Sequence, residues 1–338
     1  MSVQTTLPPA VRSGRRSGIG RFIPSPRYGS VIVTLVLLAA IYAVGASRYR
    51  GFRSGQVFFN LFIDNAFLIV LAVGLTFVIL TGGIDLSVGS VVALSTMIAA
   101  SLARDGWPPV VIVFIVLLVG SVLGLLVGLV IHYFEIQPFI ATLAAMFLAR
   151  GLCYVISLES ISITEPWFTW MAQTRFPLAR GLSITPSVIV AVLVVVIGFF
   201  VLHYTRTGRT VYAIGNGGQS AVLMGLPVTR TKVLVYVISG FCSALAGILF
   251  TFYTLSGYSL TAVGMELDAI AAVVIGGTLL TGGSGFVIGS LLGVLVLGII
   301  QTILSFEGTL SSWWTRIVIG GLLLVFILLQ RGLTALRR

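Results

Sequence analysis

The chain has 338 residues, of which 58% are hydrophobic and only 9% charged, and its mean hydropathy is +1.13. Soluble domains carry about 25% charged residues, so lipid is the only solvent that suits this composition, and a soluble enzyme, a fibrous protein and a disordered chain are excluded. The net charge of +11 suggests nucleic acid at first sight, but the basic residues sort by membrane side.

Residues 1–28 are rich in Ser, Pro, Gly and Arg, show no apolar period, and read as a disordered cytoplasmic tail. The apolar segment after them is long and lacks a small-residue cleavage site, so no cleaved leader is expected. Apolar segments then follow at 30–46, 57–80, 86–103, 109–132, 137–157, 185–204, 233–255, 267–281, 285–304 and 314–330. Each reaches or approaches the ~20 residues of a membrane span; the segment 267–281 is short and broken by glycine, as a tilted or re-entrant span would be. The expected fold is all-α: a polytopic inner-membrane bundle of about ten transmembrane helices with both termini cytoplasmic. It divides into the tail 1–28, a transmembrane domain 29–332 containing a cytoplasmic loop 205–232, and a cytoplasmic tail 333–338.

That map places twelve basic residues on the cytoplasmic face, against Asp85 and Glu135. They lie in the first tail, in the loop after residue 204, and at Arg331, Arg337 and Arg338. Such asymmetry sets orientation and needs no anionic ligand. Cys153 and Cys242 lie in apolar runs with no CxxC, and His132 and His203 stand apart, so neither a disulfide framework nor a metal site is expected.

Glycines recur every fourth residue at Gly120, Gly124 and Gly128 and at Gly285, Gly289 and Gly293. On a helix this spacing lets a neighbouring backbone approach closely. Thr81-Gly-Gly-Ile-Asp-Leu-Ser-Val-Gly-Ser90 echoes two hundred positions later as Thr281-Gly-Gly-Ser-Gly-Phe-Val-Ile-Gly-Ser290. Paired glycine-interrupted segments of this kind hint at an internal duplication.

Catalytic motifs are missing: no GxSxG, no HExxH, and no histidine near an evident nucleophile. Asp85 follows Gly82-Gly83 and precedes an apolar helix, where a carboxylate caps the free N–H groups of the first turn. Glu266 and Asp268 read the same way. The only lysine, Lys232, lacks the glycines of a phosphate-binding loop, so any ATP must be hydrolysed by a partner. Coupling to an ion gradient usually leaves acids inside the spans, and these are scarce. The cytoplasmic loop is expected to hold a short helix, Gln219 to Met224, stopped by Gly225 and Pro227. Set between glycines, it is shaped to dock in a partner's groove.

Polar groups inside the spans mark a candidate solute path. Asn60 and Asp64 share a face, Asn65 and Phe62 lie beside them, and Gln137, Thr142 and Gln301 are further candidates. Amides and carboxylates beside aromatic faces suit an uncharged sugar; a polar bond between helices is the competing account of each. Arg150, alone in an apolar run, is expected either to snorkel or to pair with a carboxylate such as Asp64.

Thr81–Gly89, Pro138–Leu143 with Arg150-Gly151, Tyr212–Gly215 and Glu266–Thr278 together resemble the permeases of bacterial ribose, xylose and galactose ABC importers over about residues 30–332. The family-motif residues are Gly82, Gly83, Asp85, Ser87, Gly89, Glu266 and Asp268. The resemblance implies a permease subunit of the bacterial inner membrane that carries a monosaccharide and is no enzyme itself. Its partners would be a second permease chain, a cytoplasmic ATPase holding ATP and Mg, and a periplasmic or lipid-anchored sugar-binding protein; no cofactor is expected on this chain. It places the ATPase contact at Gly215, Asn216, Gln219, Ser220, Ala221, Leu223 and Gly225, where the family's Gly-Gly-Asn and acidic-Ala-Ala are replaced by Gly215-Asn216-Gly217 and Gln219-Ser220-Ala221. Gly308–Thr315 and Leu329–Leu333 look most like the second permease of the galactofuranose importer, whose pore joins two different permease chains. Permeases for another pentose or hexose, and a lipid-modifying membrane enzyme, are the alternatives.

Overall fold

From Gly29 the chain rises through α1 (Gly29–Arg48), turns at a 3-10 element over Arg50–Arg53, and descends through α2 (Gly55–Leu80). The computed structural model describes residues 29–179, 181–308, 314, 317–325 and 328. α3 (Val88–Arg104), α4 (Pro109–Tyr133) and α5 (Pro138–Ile156) follow. An outer segment then carries β1 (Ile161–Ser162), the short α6 (Pro166–Gln173), and the hairpin of β2 (Phe176–Ala179) with β3 (Leu182–Ile184). α7 (Pro186–Tyr204), α8 (Arg206–Leu223) and α9 (Val228–Thr254) come next. β4 (Ser256–Gly257), paired with β1, leads to α10 (Met265–Ile275) and α11 (Val287–Glu307). The described residues 317–325 are helical.

Local chemistry explains where these helices begin. Proline opens α4, α5, α6 and α7, where its missing N–H was an orphan in any case. Ser54, Glu165 and Thr205 cap α2, α6 and α8 by accepting from Gln56 N, Phe168 N and Gly208 N.

Among the described residues, seven helices are long and apolar enough to cross a membrane: α1, α2, α4, α5, α7, α9 and α11. α3, with 17 residues, is a shorter apolar helix. Burial separates inner from outer elements. α2 is buried almost all round from Leu61 onward, and α9 and α11 are buried over most of their length. α4, α5 and α7 turn apolar side chains outward, among them Val110, Phe114, Phe147 and Val196. A helix apolar on every face belongs either in a core or in lipid, and this bundle uses both. It is a multi-pass membrane helix bundle.

The short, glycine-broken segment 267–281 fits the re-entrant alternative: α10 has 11 residues, about 16 Å at 1.5 Å per residue, against a hydrocarbon core of about 30 Å. One expectation needs correction. The loop 205–232 is largely helical, since α8 runs from Arg206 and departs from helical geometry at Gly217 rather than starting near Gln219. The glycines that read as breakers are there for close approach: a Cβ on Gly208 would overlap the Leu202 carbonyl. The tails 1–28 and 333–338 and residues 315–316, 326–327 and 329–330 of the segment 314–330 lie outside the described residues.

The glycine spacing has a packing meaning. A Cβ on Gly120 or Gly124 would strike α9, at the Gly240 and Tyr236 carbonyls, and one on Gly289 or Gly293 would strike α10, at the Gly276 and Ala272 carbonyls. Gly285 falls before α11 begins and is no part of that stripe.

Candidate functional site

The two echoed segments meet and have one turn glycine in common position. Gly82 (φ 79°) closely follows the end of α2, and Gly282 (φ 85°) lies seven residues beyond the end of α10 with Gly283 (φ 76°) next to it. Glycine alone enters this region of φ without steric cost. Each then runs extended into a new helix, α3 from Val88 and α11 from Val287. Gly283 N donates to Leu80 O at 2.9 Å, so one turn is bonded to the helix end that opens the other.

α8 is fastened to this junction. Tyr212 Oη donates to Gly285 O at 2.7 Å, and Asn216 Nδ2 donates to Gly283 O at 3.2 Å and Tyr212 O at 2.8 Å. Gly215 lies so near Leu80 O and Gly283 N that a Cβ would overlap both. Of the residues expected to contact an ATPase, Gly215 packs against the junction, Asn216 is bonded to it while remaining exposed, and Ala221 is buried. Gln219 and Ser220 are exposed, and Leu223 stands 88% exposed between exposed Val222 and Met224. Gly225 ends the helix at φ 71°.

Beside the junction, Asp85 is buried at 3% exposure with both carboxylate oxygens engaged. Oδ1 accepts from Ser87 N (3.0 Å) and Ser87 Oγ (2.6 Å), and Oδ2 accepts from Ser239 Oγ of α9 at 2.7 Å. Thus Asp85 serves the turn before α3 and also ties it to α9. Glu266, in the first turn of α10, packs its carboxylate on Gly89, joining two motifs far apart in sequence. Thr76 Oγ1 and Ser290 Oγ, 2.7 Å apart, link α2 to α11.

Arg150 pairs with no carboxylate. Its Nη1 donates to Ser259 O (2.6 Å) and Thr261 O (2.7 Å), in the irregular stretch between β4 and α10. Carbonyls freed by a broken helix need internal partners at membrane depth, and the guanidinium supplies them.

The expected path residues do not converge. Asn60 accepts from Gln56, buried Asn65 donates to Leu61 O against Gly298, and Thr142 donates back to Pro138 O. Gln137 is exposed at the start of α5, Gln301 is exposed on α11, and Phe62 packs against Phe58. Asp64 alone of the seven lines a cavity of about 200 Å³ near the outer ends of α2, α7 and α9, with Arg175, Thr185 and Tyr253 among its other walls. These last three carry no sequence signal: Arg175 lies between two predicted spans, Thr185 opens one apolar run, and Tyr253 sits near the end of another.

The bundle thus combines a half-length helix, paired glycine turns and a side helix bonded to their junction. Residues 57–327 match the family described as branched-chain amino acid transport system / permease component, and the chain belongs to it. It is 47% identical over 307 residues to the inner membrane ABC transporter permease protein YjfF of Escherichia coli (strain K12), covering 90% of this chain and 93% of that protein. It is 45% identical to the fructose import permease protein FruG of Bifidobacterium longum (strain NCC 2705), covering 92% of each. It is 37% identical to the ribose import permease protein RbsC of Haemophilus influenzae, covering 92% and 94%. No solved structure matches. The resemblance to sugar-importer permeases carried by the motifs is borne out by these relatives.

Proposed function

We propose that the chain is the transmembrane subunit of an ABC importer for a monosaccharide, galactofuranose in particular. A partner ATPase that holds ATP and Mg would dock on α8, a sugar-binding protein would deliver from outside, and a second, different permease would complete the pore. The observation that carries the reading is the apolar tip Val222-Leu223-Met224, exposed beyond the break at Gly217 in a helix whose first part is bonded to the glycine-turn junction. A partner that moves this tip moves the ends of α2 and α11 with it. A run of three exposed apolar side chains supports a contact surface, and on the expected cytoplasmic face a protein partner is the occupant this reading assigns.

Galactofuranose is supported by the resemblance at Gly308–Thr315 and Leu329–Leu333, most of which lies outside the described residues. The second reading is another pentose or hexose, favoured by relatives whose names give fructose, ribose and allose. The lipid-modifying enzyme gains nothing from membership of a permease family. To decide, the whole importer is expressed in a host stripped of other sugar systems, and ATP-dependent uptake of labelled sugars is followed. Galactofuranose should be taken up best and a second permease should co-purify. Preferred uptake of ribose, xylose or fructose, or full activity with this chain as the only permease, defeats the galactofuranose reading.

A further inference from the structure

The outer cavity holds more chemistry than packing requires. Asp64 and Arg175 both line it, yet the ion pairs among the described residues are Arg48–Glu307 and Arg104–Asp105, so these two charges do not close on each other. Thr185, only 6% exposed, also lines the cavity, and its hydroxyl has no hydrogen-bond partner among the described residues. Buried polar atoms in native structures nearly always have a partner, so an orphan hydroxyl facing a cavity points to a ligand. Ser187 adds another hydroxyl, and Phe67 and Tyr253, with ring centroids 5.9 Å apart, form an aromatic wall.

The position tells what solvent the cavity meets. Asp64 is exposed nine residues into α2, where facing lipid would be costly for a carboxylate. Lipid-facing surfaces of α4, α5 and α7 carry apolar side chains instead. This corner therefore faces water or a second subunit.

We propose that this cavity is a sugar subsite belonging to the permease itself, used as the solute leaves its outer delivery protein. The inference rests on the sugar-permease reading above. One carboxylate and one guanidinium, unpaired with each other, disfavour an anion and a cation alike and suit an uncharged ligand with adjacent hydroxyls. Asp64 accepts from one hydroxyl and Arg175 donates to its neighbour. Thr185 bonds a third, and Tyr253 covers the C–H face of the ring. An apolar ligand would leave Thr185 unpaired. The volume of about 200 Å³ falls below the roughly 300–1,000 Å³ of drug-sized pockets, which fits one small ring rather than an oligosaccharide.

The test uses the complete importer in proteoliposomes, with Ser187→Cys or, as a second site, Ala172→Cys in the cavity wall labelled by a membrane-impermeant maleimide. Cys153 and Cys242 are both buried, so the label reports the introduced thiol. D-galactose, D-fructose and D-ribose serve as probes beside galactofuranose. The sugar that is transported should slow labelling at least fivefold when its binding protein delivers it, while the empty binding protein should not. Arg175→Gln should cut uptake at saturating sugar tenfold or more, with the ATPase still co-purifying. Normal sugar uptake with no protection at either cysteine, and with uptake unchanged in Arg175→Gln and Asp64→Asn, overturns the subsite and leaves the permease reading intact. No uptake of any sugar by the unaltered importer defeats both.

Discussion

At the scale of single residues, the charges buried in this bundle act mainly on backbone and hydroxyl groups. Arg150 shows the consequence most clearly, since its guanidinium takes two carbonyls of a non-helical stretch. Arg150→Ala should leave both without partners, at about 1–3 kcal/mol for each buried group. We expect the variant to lose yield and to aggregate at lower temperature in detergent, with Arg150→Lys intermediate because an ammonium lacks the planar fork. Stability equal to the unaltered protein in Arg150→Ala would show that water or lipid headgroups satisfy those carbonyls. The sequence displayed Arg150 as an isolated charge but gave no means of choosing backbone over Asp64 as its partner, because the acceptors lie 109 and 111 positions away.

Among elements, the long spans were legible because each is a continuous apolar run, and a run that cannot be soluble has few other fates. α8 was not. Its glycines at 208, 215, 217 and 218 look like breakers to any local rule, and only the approach of Leu202, Leu80 and Gly283 shows why two of them sit on a helix. The candidate site was harder still, since its walls come from α2, α7, α9 and the outer hairpin region. Two substitutions separate the two faces of α8. Leu223→Asp alters a position 88% exposed, where folding should change by no more than ~0.5 kcal/mol, yet a charge placed in an apolar contact should release the ATPase on purification. Gly215→Val forces α8 off the glycine-turn junction; the ATPase should still co-purify while ATP-driven uptake falls at least tenfold. Normal assembly and uptake in Leu223→Asp would remove α8 as the docking element, and normal uptake in Gly215→Val would remove the junction as its transmission.

For the whole molecule, the arginines set an expected orientation. The shortness and glycines of 267–281 already marked α10 as less than an ordinary span, although hydropathy measures length along the chain and not the path it takes. A direct check exploits Gln173 and Gln219, both exposed. A cysteine at Gln173 should react with an impermeant thiol reagent added to intact cells, and a cysteine at Gln219 should react only after the membrane is opened. Labelling of both in intact cells, or of Gln219 alone, would overturn the map.

The bond from Gly283 N to Leu80 O also bears on how the chain is made. The two residues are 203 positions apart, so at roughly 5–20 residues per second the end of α2 waits about 10–40 seconds on the ribosome before its partner is synthesised. During that interval the junction that α8 bonds to is incomplete, although α8 itself is already made and can pack against α7. The bonds from Tyr212 and Asn216 to Gly285 and Gly283 therefore form last, and a chain truncated before Gly283 would carry α8 without them.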